Sequence, residues 1–140
     1  MKENLEVDIR VPNQTRYLSL IGKIGEDVAR TLKRYKGDRE ELAYHLNLVL
    51  TEAMANAILH ANEDDPEKEI HVTITILDQI LCIKVYDQGQ GFDISMLPSP
   101  NFKSLDDHGR GVYIIRSLMD KVTYRKFKGG HVLEMVKSLL

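Results

Sequence analysis

The segment covering about residues 39–61 constrains the fold of this 140-residue chain more than any other. Its apolar residues fall on most sides of a helix: Leu42, Leu46, Val49, Leu50, Ala53, Met54, Ala57 and Ile58. A helix of this kind has to be buried by other elements. Asp38 precedes the segment, and Glu41 lies three residues after Asp38, a pattern typical of a helix N-terminus. We therefore expect a long, largely buried helix here.

The rest of the chain predicts strands and two further helices. Alternating or short apolar runs indicate five strands, at about residues 5–11, 70–76, 80–86, 122–127 and 132–136. Apolar residues at three- and four-residue spacing predict an amphipathic helix at 14–35 and a short one at 112–119. This pattern predicts one domain spanning 1–140, an α+β two-layer sandwich with a mixed, mostly antiparallel five-stranded sheet and about three helices on one face.

The charge balance excludes several classes of protein. There are 19 Lys and Arg residues against 21 Asp and Glu residues, a formal charge of −2, so nucleic-acid binding through phosphates is disfavoured. The apolar runs are too short for a transmembrane helix, and the N-terminus lacks the apolar segment of a secretory signal. One cysteine cannot form an internal disulfide. We expect an intracellular, cytoplasmic protein with no membrane partner.

Three polar residues on the buried helix form the first candidate site. Glu52, Asn56 and His60 are spaced at i, i+4 and i+8, so they share one stripe of an otherwise apolar helix. Burying a carboxylate and an amide is unfavourable unless each meets a partner, a metal or a ligand. The stripe therefore predicts a binding or catalytic site.

The second candidate site is the run Asp87-Gln88-Gly89-Gln90-Gly91-Phe92, which directly follows a predicted strand. Its glycines allow the backbone to approach a flat ligand closely. A carboxylate at the end of the strand can accept a hydrogen bond from an exocyclic amine.

The third candidate site is Gly109-Arg110-Gly111, placed just before the last predicted helix. Backbone N–H groups at a helix N-terminus favour an anion such as phosphate, and an arginine there can clamp it. A phosphate-binding loop of the Gly-x-x-x-x-Gly-Lys type is absent from the sequence, and Ile94 and Ile114 stand where a dinucleotide fold needs a third glycine. The five histidines lack the spacing of a zinc site.

In this order, the three motifs resemble the ATP-binding boxes of the gyrase, histidine-kinase and MutL superfamily. The helix reads Glu-Ala-x-x-Asn-Ala-x-x-His-Ala over residues 52–61, which is similar to the bacterial anti-sigma-factor serine/threonine kinases. The resemblance runs from the first strand to the last.

This resemblance implies a role for each motif. Glu52 would be the general base that takes the proton of the substrate hydroxyl, and Asn56 would coordinate Mg²⁺ bridging the phosphates. Asp87 would read the adenine amino group. The other ATP-binding positions would be His60, Gly89, Gly91, Phe92, Gly109, Arg110, Gly111 and Val112. Residues 94–108 would form a mobile ATP lid.

The sequence departs from the family near the last strands. The family often has Gly-Thr there, with the Thr close to the phosphates, whereas this chain has His131 after Gly129 and Gly130. We expect a different affinity or geometry for ATP.

The resemblance implies an ATP- and Mg²⁺-dependent serine/threonine kinase that also binds a sigma factor. Its substrate would be a small anti-anti-sigma protein, and its active unit a homodimer. The alternatives are a nucleotide-gated module that sequesters a partner without phosphotransfer, a catalytic fragment of a sensor histidine kinase, and an ATPase of the gyrase or MutL kind. The presence of Glu52 favours the kinase over the nucleotide-gated module. The sensor histidine kinase is disfavoured because residues 14–35 contain no phosphoacceptor His. The gyrase or MutL kind of ATPase is disfavoured because the sequence shows no transducer domain.

Overall fold

A sheet and a layer of helices enclose the core of the protein, whose structure is a computed structural model. It describes residues 3–89 and 107–140, with the backbone alone for 107–110. The described strands are β1 (Leu5–Pro12), β2 (Glu69–Leu77), β3 (Ile80–Asp87), β4 (Lys121–Phe127) and β5 (Gly130–Ser138). The described helices are α1 (Leu18–Thr31), α2 (Arg39–Asn56) and α3 (Asp107–Leu118). A 3₁₀ turn, Thr15–Tyr17, precedes α1, and a π-helical turn, Ala57–Ala61, continues α2.

The predicted α+β two-layer sandwich is confirmed, with one correction to the sheet. The strand order is β1-β2-β3-β5-β4, and every neighbouring pair among the described strands is antiparallel. The expectation of a mixed sheet was wrong. The connection from β1 to β2 contains two helices, so the chain re-enters the sheet at the end where it left it, with Pro12 opposite Glu69. A single-helix crossover would have returned the chain to the opposite end and made the two strands parallel.

Helix α2 is buried as predicted. Leu46, Val49 and Leu50 are at most 1% exposed. The Asp38 carboxylate caps the helix by accepting hydrogen bonds from the backbone N–H groups of Glu40, at 2.8 Å, and Glu41, at 3.3 Å. The apolar burial and the N-terminal cap together hold α2 in place within the helix layer.

The first predicted helix is shorter than its apolar pattern suggested. It was expected over 14–35, but α1 ends at Thr31 because Leu32 is extended, with φ −66° and ψ 123°. The Glu3 carboxylate accepts hydrogen bonds from the backbone N–H groups of Lys33 and Arg34, and the Lys33 bond is the main cause that lowers the pKa of Glu3. A contact with the distant N-terminal segment thus accompanies the end of the helix.

The third helix begins earlier than predicted. The sequence placed its start at Val112, whereas α3 begins at Asp107, so Gly109 and Gly111 lie inside the helix rather than before it. Strand β5 is also two residues longer at each end than the predicted 132–136. No helix among the described residues is long and apolar enough to cross a membrane.

The two faces of the sheet differ. The face toward the helices carries the apolar core, including Val72, Ile74 and Ile83. The other face, here called the outer face, carries alternating residues of the same strands that no described helix covers: Thr73, Thr75, Cys82, Lys84, Tyr86, Thr123 and Glu134. Burial raises the pKa of the half-buried Cys82 thiol, and the nearby Glu134 acts in the same direction.

Candidate functional site

Two helices bring the first and third motifs together. Glu52 and Asn56 lie one turn apart on α2, and Gly111 of α3 packs directly against both side chains. A Cβ atom at Gly111 would lie 2.7 Å from Glu52 Oε2 and 3.3 Å from Asn56 Nδ2, which is too close for any larger residue without a shift. We call Glu52, Asn56 and Gly111 the helix cluster.

The side-chain amide of Asn56 is buried, and its nitrogen lacks a hydrogen-bond partner in the part of the chain that the structure describes. Asn56 is only 6% exposed, and its Nδ2 atom has no hydrogen-bond partner among the described residues. Leaving a buried donor unsatisfied costs about 1–3 kcal/mol. A buried amide of this kind needs an explanation, and a ligand in the finished site is one.

His60 and Val112 lie near the same cluster along the chain. His60 is half-buried in the π-helical turn, where the Asn62 N–H donates to the Ala57 carbonyl five residues earlier at 2.8 Å. The regular four-residue spacing expected from Glu52 to His60 therefore does not continue through this turn. π-Helical turns are frequent at functional sites. Val112 is buried beside Gly111.

Asp87, the last residue of β3, is held by a set of polar neighbours. Its Oδ2 accepts a hydrogen bond from the Tyr124 hydroxyl at 2.8 Å, and its Oδ1 accepts one from the Gly89 N–H at 3.1 Å. His131 Nδ1 lies 3.4 Å from Oδ1, and the Asp87 side chain is 2% exposed. We call Asp87, Tyr124 and His131 the sheet cluster.

Close backbone contacts place the sheet cluster beside the end of the long helix. A Cβ atom at Gly89 would overlap the carbonyl oxygen of Ala61, and one at Gly130 would overlap the carbonyl oxygen of Asp87. Only glycine permits both contacts. The second motif therefore packs against the C-terminal end of the first, as a shared binding site requires.

Two buried asparagines, which the sequence had indicated only as loop residues, support this junction. Asn62 donates from Nδ2 to Asn13 Oδ1 at 3.0 Å and accepts from the Gln88 N–H at 2.8 Å, while Asn13 donates to the Asp65 carbonyl at 2.9 Å. Both residues are at most 1% exposed. The only sign of this structural role in the sequence was the position of both asparagines next to the ends of predicted elements.

Several predicted site positions lie outside the described residues. These are Gly91, Phe92 and the expected lid as far as residue 106; at the lid's end, residues 107 and 108 are described by their backbone in α3. Gly109 and Arg110 also belong to α3 by their backbone, and the Arg110 side chain is not described. The N-terminal turn of α3 leads into Gly111. The first N–H groups of a helix have no acceptor within the helix and carry the positive end of its dipole.

The residues present fit a magnesium–nucleotide complex better than a metal held by protein alone. Mg²⁺ prefers oxygen ligands, keeps several waters, and is commonly bound through one or two protein groups plus substrate phosphates. The helix cluster offers an amide and a carboxylate one helical turn apart, next to a helix N-terminus suited to phosphate. Among the described residues, no group of three His, Cys, Asp or Glu side chains could hold a metal ion.

The fold and the order of the three motifs define an ATPase domain of the kind found in histidine kinases. The chain matches the histidine kinase-like ATPase domain over residues 12–137, and it belongs to that family. The superfamily resemblance inferred from the three motifs is confirmed.

Curated relatives give this family membership a more specific context. Serine-protein kinase RsbW of Bacillus subtilis is 27% identical over 138 residues, covering 92% of this chain and 84% of the relative. Serine-protein kinase RsbW of Staphylococcus epidermidis is 29% identical over 142 residues, covering 95% and 86%. Anti-sigma F factor of Anoxybacillus flavithermus is 29% identical over 99 residues, covering 67% and 68%.

Solved structures with the same fold are more distant. The histidine kinase domain of the Erythrobacter litoralis EL346 blue-light activated histidine kinase is 17% identical, with a TM-score of 0.56 over 92% of this chain and 62% of that domain. The EL346 kinase itself is 16% identical, with a TM-score of 0.57, and this chain spans 42% of it. These likenesses, which cover less than two thirds of either structure, show the fold alone.

Proposed function

We propose that this protein is an ATP-dependent protein serine/threonine kinase that also acts as an anti-sigma factor. Its substrate is a small anti-anti-sigma protein, in a regulatory system where the sigma factor and that protein exchange as partners. The observation that carries the proposal is the helix cluster, where a carboxylate, an amide whose nitrogen has no partner among the described residues, and a glycine that follows the first turn of α3 meet. The names of the relatives support the same activity.

Glu52 acts as the general base in this proposal. It accepts the proton of the substrate hydroxyl as that oxygen attacks the γ-phosphorus, and ADP leaves with the electrons of the broken P–O bond. Phosphoryl transfer depends on positioning and charge stabilisation more than on covalent help from the protein. A positioned base contributes typically 10²–10⁴-fold.

Asn56 and the start of α3 hold the phosphate end of the nucleotide. The Asn56 amide oxygen would be the protein ligand for Mg²⁺, and the bound ion would offset the phosphate charge that Glu52 otherwise repels. The backbone at Gly109 and Gly111, with Arg110, His60 and Val112, completes the phosphate side. The buried Asn56 Nδ2 has no hydrogen-bond partner among the described residues, and as a donor it is suited to a phosphate oxygen beside the metal.

Asp87 reads the adenine amino group, with Gly89, Gly91 and Phe92 forming the adjacent wall. The close contact of Gly89 with Ala61 supports this role, because it brings the wall to the end of α2. His131 lies 3.4 Å from Asp87, so the departure from the family's Gly-Thr affects the surroundings of the base rather than those of the phosphates.

We also propose that the protein is a cytoplasmic homodimer. The outer face of the sheet, which no described helix covers, is a surface available for a second copy. Light scattering on the purified protein tests the dimer, and a mass corresponding to a single chain at micromolar concentration would contradict it.

The alternative of a nucleotide-gated binding module without phosphotransfer is not favoured. The two reported relatives that cover more than nine-tenths of this chain are named serine-protein kinases, and the base that transfer requires is present as Glu52.

The test is phosphate transfer from radiolabelled ATP, with Mg²⁺, to a small anti-anti-sigma protein encoded near the gene of this chain. We expect label on a Ser or Thr of that protein, and transfer about 10²–10⁴-fold slower with the Glu52→Gln variant. A chain that binds ATP and its partners but transfers no label would favour the binding module instead.

A further inference from the structure

We propose that Tyr124 and His131 are positioning residues that set which purine base the nucleotide site prefers, by fixing the orientation of Asp87. This inference rests on the proposed nucleotide-binding function and extends it to two residues that none of the three motifs contains. Tyr124 supplies the hydroxyl that holds the carboxylate, and His131 holds the Tyr124 ring.

The strand register builds this arrangement. Asp87 of β3 and His131 of β5 are direct cross-strand partners, and Tyr124 of β4 pairs with Leu133, two residues beyond His131. Residues two apart on a strand face the same side, so Tyr124 and His131 are diagonal neighbours on the helix-side face. Three adjacent strands therefore present Asp87, His131 and Tyr124 side by side.

The Tyr124 hydroxyl is the group that fixes Asp87. It donates to Oδ2 at 2.8 Å, while the Gly89 N–H donates to Oδ1 at 3.1 Å. Among the described residues each carboxylate oxygen thus has one donor, and together the two donors set the plane of the carboxylate. Each oxygen keeps a further lone pair for a base amino group. A carboxylate with a set plane discriminates between an amino group and a carbonyl oxygen better than one that rotates.

His131 acts through its ring rather than through its nitrogen. The His131 and Tyr124 rings are stacked, with centroids 5.0 Å apart and planes inclined by 9°. In contrast, His131 Nδ1 lies 3.4 Å from Asp87 Oδ1 without hydrogen-bond geometry, and it has no hydrogen-bond partner among the described residues. Stacking therefore accounts for the contact of His131 with this cluster, and it holds the Tyr124 hydroxyl over Asp87.

The experiment compares binding of ATP with binding of inosine triphosphate (ITP), which has the same ribose and triphosphate but a carbonyl oxygen in place of the amino group. Calorimetry measures both dissociation constants for the wild type and for Tyr124→Phe, His131→Ala and His131→Phe. Tyr86→Phe is the matched control, since Tyr86 lies next to Asp87 but points to the outer face.

We expect the wild type to prefer ATP and Tyr124→Phe to reduce the ATP-to-ITP preference about tenfold, the effect of losing a hydrogen bond to a charged group. His131→Ala should reduce it roughly 2- to 10-fold through the lost stacking, and His131→Phe should largely restore it. Tyr86→Phe should leave the preference unchanged. A merely structural role would weaken ATP and ITP equally and leave their ratio constant.

Three results would overturn the inference. They are an unchanged ratio in Tyr124→Phe, an equal loss in His131→Phe and His131→Ala, and a wild type that binds ATP without preferring it to ITP. A wild type that binds neither nucleotide would instead contradict the proposed function itself, so the two failures are distinguishable.

Discussion

The helix cluster and the sheet cluster lie at the two ends of the same candidate site and are built differently. Glu52 and Asn56 come from a single helix, and their spacing of four residues places them on one face before any tertiary contact forms. Asp87, His131 and Tyr124 come from three strands and meet only through the register of the sheet. The polar pair of the helix cluster is therefore encoded locally, whereas the sheet cluster is formed by pairing across the fold.

This difference has a consequence for how each cluster tolerates change. A substitution of Glu52 or Asn56 removes one chemical group and leaves the helix in place, because α2 is held by its apolar packing. A substitution in the sheet cluster alters a hydrogen bond or a ring contact on which its neighbours depend. We expect chemical effects at the helix cluster to be large and effects at the sheet cluster to be graded.

The largest effect is expected from Glu52→Gln. Removal of the general base should lower phosphotransfer by about 10²–10⁴-fold while ATP binding is retained. The measurement is the initial rate of label transfer, with ATP affinity determined in parallel. Glu41→Gln, at an exposed position near the start of the same helix, is the control and should transfer normally. A wild-type rate in Glu52→Gln would show that another group is the base.

Asn56→Ala should abolish the Mg²⁺-dependent part of ATP binding and leave the fold intact, because the amide is the proposed metal ligand. Titration with ATP in the presence and absence of Mg²⁺ measures it. Asn47→Ala is the matched control, since Asn47 lies on α2 but donates to Glu26 Oε2 at 2.6 Å, away from the cluster. If Mg²⁺ strengthens ATP binding equally in Asn56→Ala and wild type, the assignment is wrong.

Asp87→Asn should weaken ATP binding by about 1.5–3 kcal/mol, the range for hydrogen bonds to charged groups, and should weaken ITP far less. The amide keeps one oxygen for the Tyr124 hydroxyl but loses the charge. Asp78→Asn, in the hairpin at the opposite end of β3, should change neither affinity. Equal ATP affinities of Asp87→Asn and wild type would remove Asp87 from the base site.

The smallest effect tests how the two clusters are joined. Asn62→Ala should lower the free energy of unfolding by about 1–3 kcal/mol, because the Gln88 N–H and the Asn13 side chain lose their buried partner. Denaturant unfolding measures it. Combined with Asn13→Ala, the loss should be less than the sum of the two single losses, and strict additivity would contradict a shared network.

Most of the fold could be predicted from the sequence, and the errors have physical causes. The buried helix, the five strands and the two-layer arrangement were confirmed, because apolar periodicity reports which faces are covered. The first helix was predicted too long, since its apolar spacing continues past Thr31 although the Glu3 carboxylate takes up the N–H groups of Lys33 and Arg34. The start of the third helix was predicted too late, because the glycines at 109 and 111 are weak helix formers.

The sequence by itself determined the chemical groups of the helix cluster, because the spacing of Glu52 and Asn56 on one helix follows from 3.6 residues per turn. It also determined that Asp87 ends a strand beside glycines. Only the tertiary structure decided that His131 and Tyr124 surround Asp87, since this requires β3, β5 and β4 to pair in one register. Residues that are 37 positions apart in the chain, such as Asp87 and Tyr124, leave no local pattern when they meet.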